Sequence, residues 1–161
     1  VVPLEEGETA GTLFDRLAPL GAAALIEALE GIEAGTLVAE AQDESLASHA
    51  PMLKKADGRV NWDQPAKVVV DRICGLDPWP GSHTTCNGKP LKLYGARLEE
   101  GSGEPGQVLS CDDKGMLIAC ADGACRIIEV QPAGKRRMSA YDFACGRKIE
   151  DGSRLGDDED A

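Results

Sequence analysis

Aromatic residues are scarce in this chain of 161 residues, which contains two tryptophans, two tyrosines and two phenylalanines. A core with so few rings has to be filled mainly by leucine, valine, isoleucine and alanine side chains. Long apolar runs are absent too. No segment approaches the roughly 18 apolar residues that predict a membrane span, and no signal-peptide pattern is present. These absences predict a soluble protein of one or two small domains, with no membrane partner.

The sequence also lacks the common short motifs of catalytic and nucleotide-binding sites. It contains no Gly-x-Ser-x-Gly, no P-loop and no Gly-x-Gly-x-x-Gly. The two histidines, His49 and His83, lie in different segments and have no carboxylate neighbours in sequence. An isolated histidine is more often structural or solvent-exposed than catalytic. We therefore predict that the chain contains no catalytic residue.

Metal-ligand spacing is a third absence. The six cysteines include no Cys-x-x-Cys pair, whereas structural zinc usually needs two close pairs of ligands. Only Cys120 and Cys125 are close in sequence, and a turn-like Ala-Asp-Gly separates them. We predict no metal site, and we predict buried, reduced thiols that act as small apolar residues. A Cys120–Cys125 disulfide is the alternative.

Acidic charge is concentrated at the two ends of the chain. The formal net charge is −11, yet residues 1–50 carry ten acidic side chains and one basic, and the last six residues carry four acidic ones. Residues 51–155 carry sixteen basic and fourteen acidic side chains. The acidic total argues against nonspecific nucleic-acid binding, but a basic face in the middle of the chain could still contact phosphates.

The first third of the chain has a helical pattern. Thr9 can cap a helix, and apolar residues follow it at helical spacing as far as Ile32. Pro19 and Gly21 predict a break, which gives two segments at about 9–18 and 20–33. Residues 36–55 show no sustained periodicity and are predicted to form a linker.

The second part of the chain changes from helical spacing to alternation. Residues 65–76 have helical periodicity, after which a period of two and turns such as Asn87-Gly88 predict five strands. A capping box at Ser139 predicts a last helix that ends near Gly146. Five short antiparallel strands commonly close into an OB-like or SH3-like barrel, because closure removes exposed edges. The predicted strands are Ser82–Cys86, Leu91–Tyr94, Gln107–Cys111, Met116–Cys120 and Ala124–Val130.

Two motifs in this part carry a family resemblance. The first is Asp77-Pro78-Trp79-Pro80-Gly81, where the prolines on either side of a tryptophan form a rigid corner. The second, residues 131–139, places three cations directly ahead of a helix-capping serine. Both motifs resemble the C-terminal part of methionyl-tRNA formyltransferase. Three further stretches resemble the same family in the same order: Glu8–Leu17, Ala50–Lys55 and Asp57–Trp62.

The resemblance implies an α+β fold in four parts. Residues 1–35 would be the incomplete C-terminal end of a Rossmann-like formyltransferase domain, and residues 36–55 an interdomain linker. Residues 56–155 would form an OB-like antiparallel β-barrel with flanking helices that docks tRNA, followed by an acidic tail at 156–161. The Asn, His and Asp that catalyse formyl transfer in the family have no counterpart in this chain. We therefore interpret the chain as a C-terminal fragment that is itself inactive.

The family transfers a formyl group from 10-formyltetrahydrofolate to the amino group of initiator methionyl-tRNA. The resemblance implies a cytoplasmic, monomeric enzyme of translation initiation, whose upstream half binds most of the folate co-substrate. One alternative is the C-terminal module of another formyltetrahydrofolate-dependent formyltransferase or hydrolase, which would need no cationic run at residues 135–137. The other is a stand-alone RNA-binding OB module, in which the apolar face of residues 1–35 would have no partner.

The basic residues are the candidate tRNA-binding residues. Three consecutive cations ahead of a helix N-terminus can bind phosphate through both charge and the helix dipole. The family resemblance adds that the barrel and linker present a positive surface to tRNA. The predicted contacts are Lys54, Lys55, Lys89, Lys92, Lys135, Arg136, Arg137, Arg147 and Lys148.

The two tryptophans are candidates for stacking on bases, as aromatic residues do in many single-strand binders. However, Trp62 and Trp79 both lie beside prolines and turn residues. An indole in that setting more often anchors a corner to the core. We therefore predict that both side chains are buried.

Overall fold

The computed structural model describes residues 1–147 and 149–156. Lys148 and residues 157–161, which include the acidic residues of the tail, lie outside the described residues. None of the helices in the described part is long and apolar enough to span a bilayer. The elements in chain order are α1 (Ala10–Glu33), α2 (Ala66–Gly75), β1 (Ser82–Cys86), β2 (Lys89–Glu99), β3 (Val108–Asp112), β4 (Gly115–Ala119), β5 (Ala124–Pro132), β6 (Met138–Ser139) and α3 (Ala140–Arg147).

The first helix is continuous, so the predicted break at Pro19 and Gly21 is wrong. α1 begins after Thr9, whose hydroxyl accepts from the backbone N–H of Thr12, and it runs through Pro19 to Glu33. A proline inside a helix removes one backbone hydrogen bond without obliging the remaining bonds to break. None of the residues of α1 is buried.

The linker region has little regular structure. Residues 36–54 contain one short 3-10 turn, Glu44–Leu46, and all of them are exposed. A second 3-10 turn, Lys55–Gly58, leads the chain back to the sheet, where the backbone N–H of Val60 donates to the carbonyl of His83 at 2.9 Å.

The five predicted strands are confirmed, and they form one antiparallel sheet with a sixth short strand. The order is β1-β2-β5-β4-β3, with β6 also paired to β5. β2 and β5 are longer than predicted, and their register places Lys92 opposite Gln131 and Tyr94 opposite Glu129. The two-residue β6 was not predicted, because so short a strand shows no alternation.

The sheet is not closed into a barrel, which corrects the predicted barrel closure. β1 and β3 do not pair with each other, because the segment 152–156 lies between their free edges. The N–H of Gly156 donates to Thr85 of β1 at 2.9 Å, while the N–H of Val108 in β3 donates to Ser153 at 2.7 Å. The free edges of β1 and β3 are therefore both hydrogen-bonded to this segment. Since exposed edges with unpaired backbone groups are what closure into a barrel would remove, the sheet has no need to close.

The core lies between the inner face of the sheet and the helices α2 and α3. α2 presents Ala66, Val69, Val70, Ile73 and Cys74 to it, at the spacing of a single helix face. α3 adds Ala140, Phe143 and Ala144. The predicted burial of Trp62 is confirmed. Its side chain is 5% exposed, and its indole N–H donates to the Thr84 hydroxyl at 3.2 Å.

The predicted reduced thiols are mostly confirmed. All six cysteines are free, so the alternative Cys120–Cys125 disulfide is not formed. Burial raises the pKa of the Cys120 thiol to about 11, and that of the more deeply buried Cys125 thiol further still. Both therefore stay protonated and unreactive near neutral pH. The predicted burial holds for four of the thiols, whereas Cys111 is half-buried and Cys145 is exposed.

Candidate nucleic-acid interface

The motif Asp77–Gly81 forms a tight corner between α2 and β1. The N–H of Gly81 closes the corner by donating to the carbonyl of Leu76 at 2.9 Å, and the peptide bonds before Pro78 and Pro80 are both cis. Leu76 and Asp77 face inward and are buried. Because those two residues occupy the inner side of the corner, Trp79 points away from the core.

The predicted burial of Trp79 is wrong, since its side chain is 61% exposed. Two tryptophans in similar sequence settings therefore have opposite placements. Trp62 has a core position and a hydroxyl acceptor, whereas the corner provides neither for Trp79. Sequence shows the rigid corner but not which of its residues faces inward.

One predicted cation, Lys92, lies beside this corner, and two others lie at the start of a turn that packs on it. The Nζ of Lys92 is 4.0 Å from the position that a Cβ on Gly81 would occupy. The 3-10 turn that begins with Lys55 packs directly on the corner. Gly58 in that turn has no room for a Cβ, because the carbonyl oxygen of Gly81 fills the space. Lys92 therefore lies beside Gly81, whereas Lys54 and Lys55 come four and three residues before Gly58, which makes the contact of the turn with Gly81.

Arg137 is held against the same corner by two carboxylates and a ring. Its guanidinium donates to Glu129 through Nε at 2.8 Å, lies 4.0 Å from the Asp77 carboxylate and stacks over Tyr94 with its Cζ 4.1 Å from the ring centroid. Burial raises the pKa of Asp77, and the nearby Arg137 opposes that rise. The charge of Arg137 is therefore largely neutralised within the protein.

Lys135 and Arg136 lie on the exposed turn between β5 and β6. Gln131, which is directly opposite Lys92, donates through its amide to the Lys135 carbonyl at 3.0 Å and accepts from the Tyr94 hydroxyl at 3.1 Å. This bridge fixes the turn beside the outer face of β2. Within the described residues, no carboxylate pairs with the side chain of either Lys135 or Arg136.

A second group of cations lies beyond this turn. Lys89 and Arg147 line a cavity of about 50 Å³ together with Ala133, which precedes the Lys135 turn by two residues. Arg147 stacks on Phe143, with its Cζ 5.8 Å from the ring centroid. This second group therefore adjoins the start of the turn between β5 and β6. Lys148, the last predicted contact, lies outside the described residues.

The N-terminus of α3 contributes less to anion binding than the sequence predicts. The helix begins at Ala140, which is buried, and the N–H of Asp142 already donates to the Ser139 hydroxyl at 3.0 Å. Asp142 also adds a negative charge to the first turn. Phosphate attraction on this side consequently depends on side-chain cations rather than on the helix dipole.

The other basic side chains have different surroundings. Arg126 is 6% exposed and donates to Glu99 at 2.7 and 2.9 Å and to Asp112 at 3.0 Å. Lys67 pairs with Asp71 at 2.7 Å on α2. Both cations are engaged with carboxylates away from the 77–81 corner.

No catalytic or metal-binding arrangement is found in residues 1–147 and 149–156. No group of three or more His, Cys, Asp or Glu side chains in this part could hold a metal ion. A cavity of about 760 Å³ lies between the N-terminal segment and α2. Its charged residues are of both signs and include Glu5, Glu8, Lys67 and Arg97. The feature with the clearest chemical bias is the exposed cationic surface around the corner.

Comparison with known proteins gives a consistent family assignment. Residues 52–148 match the family described as the formyl transferase C-terminal domain. Methionyl-tRNA formyltransferase of Geobacter metallireducens is 42% identical over 149 residues, which cover 92% of this chain and 48% of that protein. The Geotalea daltonii enzyme of the same name is 43% identical over 95% of this chain and 49% of its own length. The chain thus spans about half the length of these curated relatives.

Solved structures show the same fold. A crystal structure of a variant of HypX from Aquifex aeolicus superposes with a TM-score of 0.72 at 23% identity, covering 94% of this chain and 27% of that chain. A second HypX structure, in complex with tetrahydrofolic acid, gives a TM-score of 0.68 at 24% identity, over 89% of this chain and 26% of that chain.

Proposed function

Because this chain belongs to the formyl transferase C-terminal domain family, we propose that it is the tRNA-docking half of a methionyl-tRNA formyltransferase. The observation that carries the proposal is the group of exposed cations formed by Lys92 beside the 77–81 corner and by Lys135 and Arg136 on the neighbouring β5–β6 turn. These cations occur in a chain that is 42% identical to an enzyme of that name. Such a surface can bind the phosphates of an RNA by charge, with counterion release as a driving force.

The four parts that the sequence suggests correspond to four roles in this proposal. Residues 1–35 belong to the end of the catalytic domain, where the apolar side chains of α1 would pack against upstream structure. These exposed side chains include Phe14, Leu25 and Ile26. Residues 36–55 act as the interdomain linker, 56–155 as the docking domain and 156–161 as a solubilising acidic tail.

The docking domain contributes to catalysis by positioning its substrate. Holding the acceptor end of a bound tRNA at a fixed place converts a bimolecular encounter into an effectively unimolecular one. Lys135 and Arg136 would contact phosphates directly, whereas Arg137 would shape the surface through Tyr94 and Glu129. The residues that bind 10-formyltetrahydrofolate and catalyse formyl transfer to initiator methionyl-tRNA would lie upstream. The assembled enzyme would act as a cytoplasmic monomer.

An activity measurement tests the division of roles. We expect this chain, incubated with methionyl-tRNA and 10-formyltetrahydrofolate, to produce no formylmethionyl-tRNA above a no-protein control. In the same buffer it should bind the tRNA, with a protein of matched net charge and unrelated fold as the negative control. Turnover would contradict the placement of the catalytic residues upstream, and failure to bind tRNA would contradict the docking role.

A further inference from the structure

The exposed indole of Trp79 is the largest apolar group at the cationic corner. It is 61% exposed, although the residues on the inner side of the same corner are buried. The backbone beneath it is fixed by Pro78 and Pro80 and by the Gly81–Leu76 hydrogen bond of 2.9 Å. Helix α1 contacts the corner at Asp77, two residues before Trp79 in the sequence: the N–H of Gly11 donates to the Asp77 carbonyl at 3.0 Å. The indole is thus displayed on a rigid support.

Positive charge reaches the corner that carries this indole mainly through Lys92, since Arg137 is paired with Glu129. The 3-10 turn that starts at Lys55 packs on Gly81, Lys92 places its Nζ near the same glycine and Arg137 approaches the Asp77 carboxylate at 4.0 Å. A flat apolar ring on a corner that also carries an exposed lysine matches a single-stranded nucleic acid, whose bases can stack while its phosphates pair with cations. A duplex offers phosphates but keeps its bases stacked inside.

We propose that Trp79 is a stacking platform for an unpaired nucleotide of the bound RNA. The proposal rests on the tRNA-docking function and adds a base-contacting residue to it. The cations supply attraction that is independent of sequence, and the indole selects for a loop or single-stranded end over a continuous duplex. The other kind of partner, an apolar protein surface such as the upstream half, is less consistent with the exposed ammonium of Lys92 at the same corner, whose burial without a partner would be costly.

The test uses the complete chain with two probes, an unmodified initiator tRNA transcript and a fully paired RNA duplex with the same number of phosphates. Trp79→Ala should weaken tRNA binding by about 5- to 150-fold, which corresponds to the usual worth of one stacked base. It should leave duplex affinity and the salt dependence unchanged. Trp79→Phe should retain most of the affinity, because it keeps a ring. Tyr141→Ala, which removes another exposed aromatic side chain from α3, is the matched control.

Fluorescence gives a second readout that does not depend on how a variant folds. Because Trp62 is buried and Trp79 is exposed, RNA should quench the emission of the wild-type chain. It should leave that of Trp79→Phe unchanged. If Lys135→Ala/Arg136→Ala weakens tRNA binding but Trp79→Ala and the fluorescence show no effect, the stacking proposal is wrong. If the wild-type chain binds no tRNA, the proposed function fails together with it.

Discussion

At the scale of single residues, charge is used in two different ways in this domain. Arg126 is buried and satisfied by two carboxylates, so it acts as part of the folded framework. Lys135 and Arg136 are exposed without a carboxylate partner in the described chain, so their charge is available to a ligand. Arg137 lies between these cases, since it is exposed in part but held in place by Glu129 and Tyr94.

Glu99 should stabilise the domain through Arg126 in a pH-dependent way. The hydrogen bonds from Arg126 lower the pKa of Glu99 below its ordinary value of 4.5. A lowered folded-state pKa stabilises the fold above pH 4.5, and that contribution is lost as the pH falls through the folded-state pKa. We expect Glu99→Gln to lower the free energy of unfolding by about 1–2 kcal/mol at neutral pH. This is the usual contribution of a charged hydrogen bond, reduced because Glu99 is partly exposed. Urea denaturation at several pH values measures it.

The control for this prediction is Glu100→Gln, which removes an exposed neighbouring carboxylate. It should change the free energy of unfolding by no more than about 0.5 kcal/mol. The difference in the free energy of unfolding between wild type and Glu99→Gln should become smaller below pH 4.5. If this difference stays constant down to pH 2, Glu99 does not stabilise the domain through its charge.

At the scale of secondary-structure elements, the sequence predicts well those features of the fold that depend on local patterns. Alternation and the Asn87-Gly88 turn located the five strands, and the helical spacing after Pro65 located α2. Closure of the sheet could not be predicted, because it depends on where the segment 152–156 lies. The exposure of Trp79 and the pairing of Arg137 were equally beyond sequence. Both depend on contacts between elements that are distant in the chain.

The difference in burial between the N-terminal elements and the sheet predicts a difference in local stability. α1 has no buried residue and residues 36–54 are exposed with one 3-10 turn, whereas β1 to β5 surround the core. Regions with few buried contacts open at low free-energy cost. We expect limited proteolysis to cut first within residues 36–55 and to leave a resistant piece that starts near residue 56. Mass spectrometry of the fragments identifies the cuts.

Hydrogen exchange provides the control for the proteolysis. Amides in β2 and β5, the two longest strands, should exchange slowest, and those of α1 should exchange much faster. Protection confined to α1, with fast exchange throughout the sheet, would contradict this division of the chain.

At the scale of the whole molecule, the acidic net charge of −11 does not prevent binding to an anion, because charges of opposite sign are segregated. Lys92, Lys135 and Arg136 lie on or beside the outer face of β2, whereas along the sequence the acidic excess lies in residues 1–50 and in the last six residues. A polyanion approaching the sheet from its cationic side therefore meets attraction, while nonspecific association elsewhere is opposed. This segregation fits a docking domain that presents one oriented substrate to a neighbouring catalytic domain.

The most direct test of this account is the salt dependence of tRNA affinity for two charge-matched double variants. Lys135→Ala/Arg136→Ala removes two cations from the interface, and Lys67→Ala/Lys114→Ala removes two exposed cations from α2 and the β3–β4 turn. In the first variant only, the slope of log affinity against log salt should become shallower by about one unit for each phosphate that the protein no longer neutralises. Thermal melting confirms that both remain folded. Equal slopes for the wild type and the first variant, or an equal decrease in affinity in both variants, would contradict a tRNA interface at this corner.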